Sequence, residues 1–257
     1  MSDLATPDDF AIRVDQLEKR FGAVRAVDGI GFSLRRGEVL GLLGGNGAGK
    51  TTTIGMIVGL VRPTSGTVRV FGVDMATDRY SVLGRMNFES PYVDMPHRLT
   101  VRQNLRVFAK LYGVNNVESR IKQLADDLDL KSFLDREAGN LSSGQKTRVA
   151  LAKSLINEPD LLLLDEPTAS LDPDTADWIR TRIETYRKKH NASILLASHN
   201  MAEVERLCDR VIIMKAGRIA DEGSPQDLMA RHGRETMEEV FLDVARSGQE
   251  KKVSAAS

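Results

Sequence analysis

Short apolar runs punctuate this chain. Glu38-Val39-Leu40-Gly41-Leu42-Leu43 reads as a short buried strand. Leu161-Leu162-Leu163-Leu164 is too short and too apolar for a surface helix, so a buried parallel strand is expected there. Ile194-Leu195-Leu196-Ala197 reads as the next buried strand, and Val211–Met214 with Arg218–Ala220 as a hairpin turning at Lys215-Ala216-Gly217. Residues 10–43 read as strands: Ile30, Phe32 and Leu34 alternate, and Arg35-Arg36-Gly37-Glu38 turns the chain. Arg62–Gly66 predicts a turn and Thr67–Phe71 a strand.

Helical spacing takes over from about 88 to 158. Val101, Leu105, Phe108 and Tyr112 share one face, and Ile121, Leu124 and Leu128 another. Asp172-Pro173 predicts a helix start with Asp as the N-cap, carried on by Ile179, Ile183 and Tyr186. Ser224-Pro225-Gln226-Asp227 caps a short helix, and Val240, Phe241 and Val244 place another over 238–246. The tail from Ser247 to Ser257 is polar and expected to fray.

Chemistry enters between the first buried strand and the helical run Thr53–Leu60. Gly44-Gly45-Asn46-Gly47-Ala48-Gly49-Lys50-Thr51 matches the G-x-x-x-x-G-K-[ST] phosphate loop. Glycines let successive backbone N–H groups close on one anion, and the helix start adds its dipole. Lys50 would reach the β- and γ-phosphates, and the Thr51 hydroxyl would bind Mg²⁺. Asp165 and Glu166 end a buried strand, where α/β sheets place their ligands. Leu141-Ser142-Ser143-Gly144-Gln145 lies 23 residues before Asp165, counted from Ser142. It reads either as a small-residue anion site with a helix following from about Lys146 or as an ordinary helix-capping turn. Ser198-His199 follows the strand 194–197.

Four motifs in this order resemble the nucleotide-binding subunit of an ATP-binding-cassette (ABC) transporter, over residues 12 to 245. The resemblance implies a single α/β domain over 10–245, with a P-loop NTPase (RecA-like) core. The core would comprise 10–87 and 159–230 with an antiparallel β subdomain. A helical subdomain at 88–158 would carry the signature motif, and 231–257 a short helix and tail. It implies ATP and Mg²⁺ as ligands, with Thr52 touching the α-phosphate. Asp165 becomes the Walker B carboxylate on Mg²⁺, Glu166 the general base and His199 the γ-phosphate sensor. Leu141–Gln145 becomes the signature that meets ATP held by a second subunit; Ser143 stands where glycine is commoner. Phe21 would stack on adenine, core packing being the alternative. Asp172 is both the D-loop residue and a helix cap. The Q-loop glutamine has no clear match: Glu89 falls at its place, as a Mg²⁺ or water contact, with Ser90 as the alternative.

Composition narrows the class. The chain has 257 residues, 41% hydrophobic, with no formal net charge, so no global basic field draws in nucleic acid and none is expected as a partner. A single cysteine, Cys208, permits no intramolecular disulfide and fits a reducing compartment. It continues the helical pattern Met201, Val204, Leu207 as core filler. No apolar run approaches the length of a bilayer span, and the acidic start Met1–Asp9 is no secretory signal. The expected partners are a second copy or close homologue, head to tail, and a multi-pass membrane permease. That places the chain in the cytoplasm, on the inner face of the membrane. The short C-terminus resembles exporters more than importers. A soluble ABC ATPase acting on ribosomes, nucleic acid or protein assemblies is the alternative, and a non-catalytic binding module fits less well because Lys50, Asp165, Glu166 and His199 are all present.

Overall fold

A computed structural model describes residues 9–90, 95–169 and 171–246. The acidic N-terminal segment, Pro91-Tyr92, Ser170 and the polar tail lie outside the described residues. By its internal contacts the chain divides into two compact units, one spanning 9–79 with 193–246 and the other 80–192.

The first unit opens with β1 (Phe10–Phe21), β2 (Val24–Arg35), β3 (Val39–Leu43), α1 (Lys50–Ile57), β4 (Ser65–Val70) and β5 (Val73–Asp74). The second holds α2 (Tyr80–Leu83), β6 (Met86–Glu89), α3 (Val101–Leu111), α4 (Val117–Asp127), α5 (Ser143–Ser154), β7 (Leu161–Asp165) and α6 (Pro173–His190). The chain then returns to the first unit as β8 (Ser193–Ala197), α7 (Met201–Leu207), β9 (Arg210–Lys215), β10 (Arg218–Gly223), α8 (Pro225–His232) and α9 (Met237–Arg246).

In the first unit an antiparallel sheet runs β2-β1-β4-β5. A second layer pairs β3 in parallel with β8 on one side and β9 on the other, with β10 antiparallel on β9. Every residue of β3 and β8 is buried, as parallel strands covered on both faces require. In the second unit β6 and β7 pair in parallel, and β7 is buried throughout. Around this pair the contacts group 80–87 and 159–192 with the helices, beyond the 88–158 span expected from the sequence. Long-range bonds explain it: Asp160 N–H donates to Arg85 O, and the Tyr186 hydroxyl to Pro159 O.

Several boundaries move for identifiable reasons. Phe88 and Glu89 are strand, not the beginning of the helical run. The expected turn ends earlier, because Ser65 and Gly66 already belong to β4. They oppose a bulge in β1, where the register shifts between Asp15 and Glu18 and Gln16 takes φ +47°. On α3, Asn104 and Ala109 fill the buried face and Phe108 is half-buried. Asn104 tolerates burial because its amide donates to the Pro96, Leu99 and Thr100 carbonyls. Cys208 is buried but lies one residue beyond α7, in extended backbone. Asp172 caps α6 as expected, its side chain accepting from Thr175 N–H at 3.0 Å.

Two glycines offer a paired test of the β subdomain. Gly66 and Gly72 share a φ of +82°, but a Cβ on Gly66 would sit 2.1 Å from the Gln16 carbonyl oxygen, whereas one on Gly72 would meet nothing. Gly72→Ala is expected to cost about 1 kcal/mol, from backbone strain alone. Gly66→Ala should cost about 1–3 kcal/mol more, from the forced shift of β1. Urea unfolding of the two variants measures the difference, and equal losses would contradict the bulge geometry.

Candidate functional site

Strand register sets the site of the first unit. Leu42 of β3 faces Ala197 of β8, and Leu43 faces Ile213 of β9. The loops leaving β3 and β8 therefore emerge at one edge, the carboxyl ends of parallel strands. One is Gly44–Gly49, running into α1; the other carries His199 into α7.

The loop glycines divide into two kinds. A Cβ on Gly44 would lie 2.7 Å from the Ala48 Cβ and 2.8 Å from the Met214 oxygen. On Gly49, at φ +104°, it would lie 2.6 Å from the Ala26 oxygen. These two are demanded by the protein's own packing. Gly45 and Gly47 are exposed and a Cβ on either meets nothing, so they leave the outer face of the loop open. The loop is braced by the β9–β10 turn: Gly217 N–H donates to Ala48 O at 3.1 Å, and Asp28 N–H to Gly217 O at 2.8 Å. Lys50 Nζ donates to Gly44 O at 2.5 Å, folding the ammonium over the loop. Thr51 is exposed and Thr52 half-buried on the first turn of α1, while Thr53 is buried and bonds back to Gly49 O. Open backbone, a helix start and a lysine fit a phosphate chain.

Phe21 ends β1 opposite Val24, two residues before the Ala26 that packs on the loop. It is 52% exposed, with Lys19 Nζ 4.8 Å from the ring centre, so it is no core residue. His199 is exposed, and its loop is held by buried Ser198. The Ser198 hydroxyl donates to Glu203 Oε2 at 2.6 Å and accepts from Asn200 N–H at 3.0 Å. Asn200 in turn caps α7 through Glu203 N–H.

The second unit repeats the logic. Glu89 faces Leu164 across the β6–β7 pair, so Glu89 and Asp165-Glu166 leave adjacent strands at the same end. Asp165 is buried, and half-buried Glu166 holds φ +54°, a left-handed conformation uncommon for such a residue. Glu89, Ser90, Asp165, Glu166 and Ser143 line one cavity of about 440 Å³. Ser143 belongs to α5, which begins earlier than the Lys146 expected from the sequence. A capping box advances it: Ser142 Oγ accepts from Gln145 N–H, and the Gln145 side chain accepts from Ser142 N–H. Leu141 is buried beneath this turn, and Gly144 and Gln145 are half-buried. At the far end of α5, the Arg120 guanidinium donates to the Leu155 and Ile156 carbonyls.

Comparison with known proteins decides what these loops belong to. The ABC transporter family model matches residues 27–169. The chain is 37% identical over 222 residues to "Nod factor export ATP-binding protein I" of Paraburkholderia xenovorans, spanning 86% of this chain and 73% of that protein. The chain belongs to the ABC transporter family. It is similar also to "Probable multidrug ABC transporter ATP-binding protein YbhF" of Escherichia coli, 36% identical over 93% of this chain but only 42% of that protein. A solved "ATP binding subunit of ABC transporter" superposes with a TM-score of 0.83 at 28% identity, over 91% of this chain and 99% of the other. The fold is accordingly the ABC ATPase form of the P-loop NTPase, and the protein is an ABC subunit that binds and hydrolyses ATP. Among the described residues no helix is long and apolar enough to cross a membrane.

One pairing in this ABC subunit had no sequence signal. Glu89 and Lys153 are 64 positions apart, both buried, with Lys153 Nζ 2.8 Å from Glu89 Oε2. Lys153 rides on α5, the helix that starts at the signature. The Ser198–Glu203 bond did carry a signal, since Asn200 followed by Glu203 has the spacing of a helix start. Burial pushes the Glu89 carboxyl up to about 7, against the pull of Lys153. The folded protein then keeps a proton that an ordinary glutamate at 4.5 releases. The stability linked to that proton is complete below the ordinary value and is lost as pH rises through the folded one. Wild type is therefore expected to lose stability relative to Glu89→Gln as pH rises from about 5 to about 8. Urea titrations of both across that range read it, and a constant difference would contradict the shift.

Proposed function

We propose that this ABC subunit powers export through a separate multi-pass permease, by ATP-driven closure of a head-to-tail dimer on the cytoplasmic side of the membrane. The observation that carries the reading is the paired register of β3 with β8 and β6 with β7, which delivers phosphate-binding and acidic groups to strand ends. Its export sense is supported by the relatives named for Nod factor export and for multidrug transport.

Each residue then has a task. Backbone N–H groups of Gly44–Gly49, with Lys50 and Thr52, hold the triphosphate. Phe21 offers adenine an exposed ring face. The Thr51 hydroxyl and the Asp165 carboxylate suit a hard cation that keeps most of its waters, and they would hold Mg²⁺, which when bound neutralises phosphate charge. Glu89 is left out of that set because Lys153 engages its carboxylate. Glu166, held in left-handed backbone, takes the proton of the attacking water. His199 orients that water and touches the γ-phosphate from a loop fixed by Ser198 and Glu203. Ser142 and the start of α5, Ser143-Gly144-Gln145, meet the ATP of the partner subunit, and Asp172 links the two sites while capping α6.

Glu166→Gln tests the reading in one preparation. Hydrolysis is expected to fall by roughly 10²–10⁴-fold with ATP binding retained. Purified from detergent-solubilised host membranes with Mg-ATP, the variant should bring down a multi-pass membrane protein in stoichiometric amount. A ribosomal, nucleic-acid or wholly soluble partner without a permease would overturn the transport reading in favour of a soluble ABC ATPase.

A further inference from the structure

Helix α9 makes two polar attachments that the nucleotide chemistry does not require. At its start, Met237 N–H donates to Glu205 Oε1 at 2.9 Å. Glu205 lies on α7, the short helix that begins two residues after His199. At its end, Lys215 Nζ donates to the Val244 and Ala245 carbonyls at 2.7 and 2.9 Å. Lys215 closes β9, and the turn beyond it braces the phosphate loop through Gly217 N–H on Ala48 O. Between the attachments α9 buries Met237, Val240 and Val244. The Arg234–Asp243 pair, at 2.6 and 2.9 Å, ties the link before the helix to its last turn.

What α9 covers gives this arrangement a purpose. Phe241, Val244 and Ala245 share a cavity of about 440 Å³ with Ile213–Ala216 and with Gly45, Asn46, Gly47 and Ala48. On the side facing α9 the phosphate loop is thus not packed solid. Its glycine-rich segment has room to shift, and the bracing turn and α9 limit how far. A loop whose N–H groups must converge on one anion tolerates little displacement.

We propose that α9 is a strap that holds the phosphate loop forward and ties it to the His199 helix, with Lys215 and Glu205 as its two positioning residues. The proposal rests on the nucleotide site described above. Lys215 is bonded to the Val244 and Ala245 carbonyls and acts through the turn at Ala216-Gly217. The strap works in series, so losing either end releases it.

Steady-state ATPase assays on the full chain test this, with thermal melting measured beside them. Lys215→Met keeps the side-chain stem and removes the ammonium. It is expected to raise the KM for Mg-ATP roughly three- to tenfold with kcat within about twofold, the pattern of lost uniform binding. Lys215→Arg should restore most of the affinity. Glu205→Ala, at an exposed position, should raise KM in the same direction, and the double variant should be no worse than the poorer single one. An unchanged KM in Lys215→Met, or additive effects of the two changes, would overturn the strap. If Lys215→Met does not fold, Glu205→Ala decides alone: a raised KM supports the strap and an unchanged one overturns it. Wild-type protein with no ATPase activity would instead refute the nucleotide site itself, a distinct outcome.

Discussion

A strand that is buried on both faces can carry a polar side chain only at its ends. That constraint governs this molecule. β3 is apolar throughout, β7 up to Asp165 and β8 after its opening Ser193, and the chemistry begins where these runs end: Gly44 after β3, Asp165 as the final residue of β7, Ser198-His199 after β8. Because β3 and β8 are parallel their ends coincide within the first unit, and because β6 and β7 are parallel theirs coincide within the second. The flanking turns then convert an edge into a site. Gly49 and Gly44 exist to let protein close on protein, and Gly45 and Gly47 to leave space for something else.

Much of this was legible in the sequence because it is written locally. The phosphate loop, the Leu161–Asp165 strand and the Asp172-Pro173 cap are contiguous patterns whose physics is settled within a few residues. Boundaries slipped where a side chain intervenes across a turn, as when the Ser142–Gln145 box starts α5 earlier than expected. Asn104 was missed because three carbonyls supplied by a neighbouring loop make an amide acceptable inside a helix face. Glu89 and Lys153 were illegible for a stronger reason. Nothing near either residue indicates that two charges so far apart in the chain are buried together.

Cations at helix ends recur as a structural device. Arg120 answers the carbonyls of Leu155 and Ile156, just past the end of α5, and Lys215 those in the last turn of α9, each reaching from a different element. Carbonyls at a helix C-terminus lack intrahelical partners and carry partial negative charge, so a cation there binds one element to another with directional bonds. A long side chain held this way transmits position better than an apolar contact, which can slide. The buried Lys153 extends the theme at higher energetic stakes, since removing its carboxylate partner leaves a charge out of water.

The capping box at Ser142 has a consequence for selectivity at the start of α5. In that box the serine oxygen is an acceptor, taking the Gln145 N–H. A hydroxyl also owns one proton, which the cap leaves free to donate outward. The same atom therefore secures its helix and keeps a donor available to an incoming anion, with the cap fixing where that donor sits. Aspartate would cap the helix as well as serine does but brings negative charge and no proton. The architecture of the helix tolerates either residue; a phosphate meeting it, as proposed above, would not.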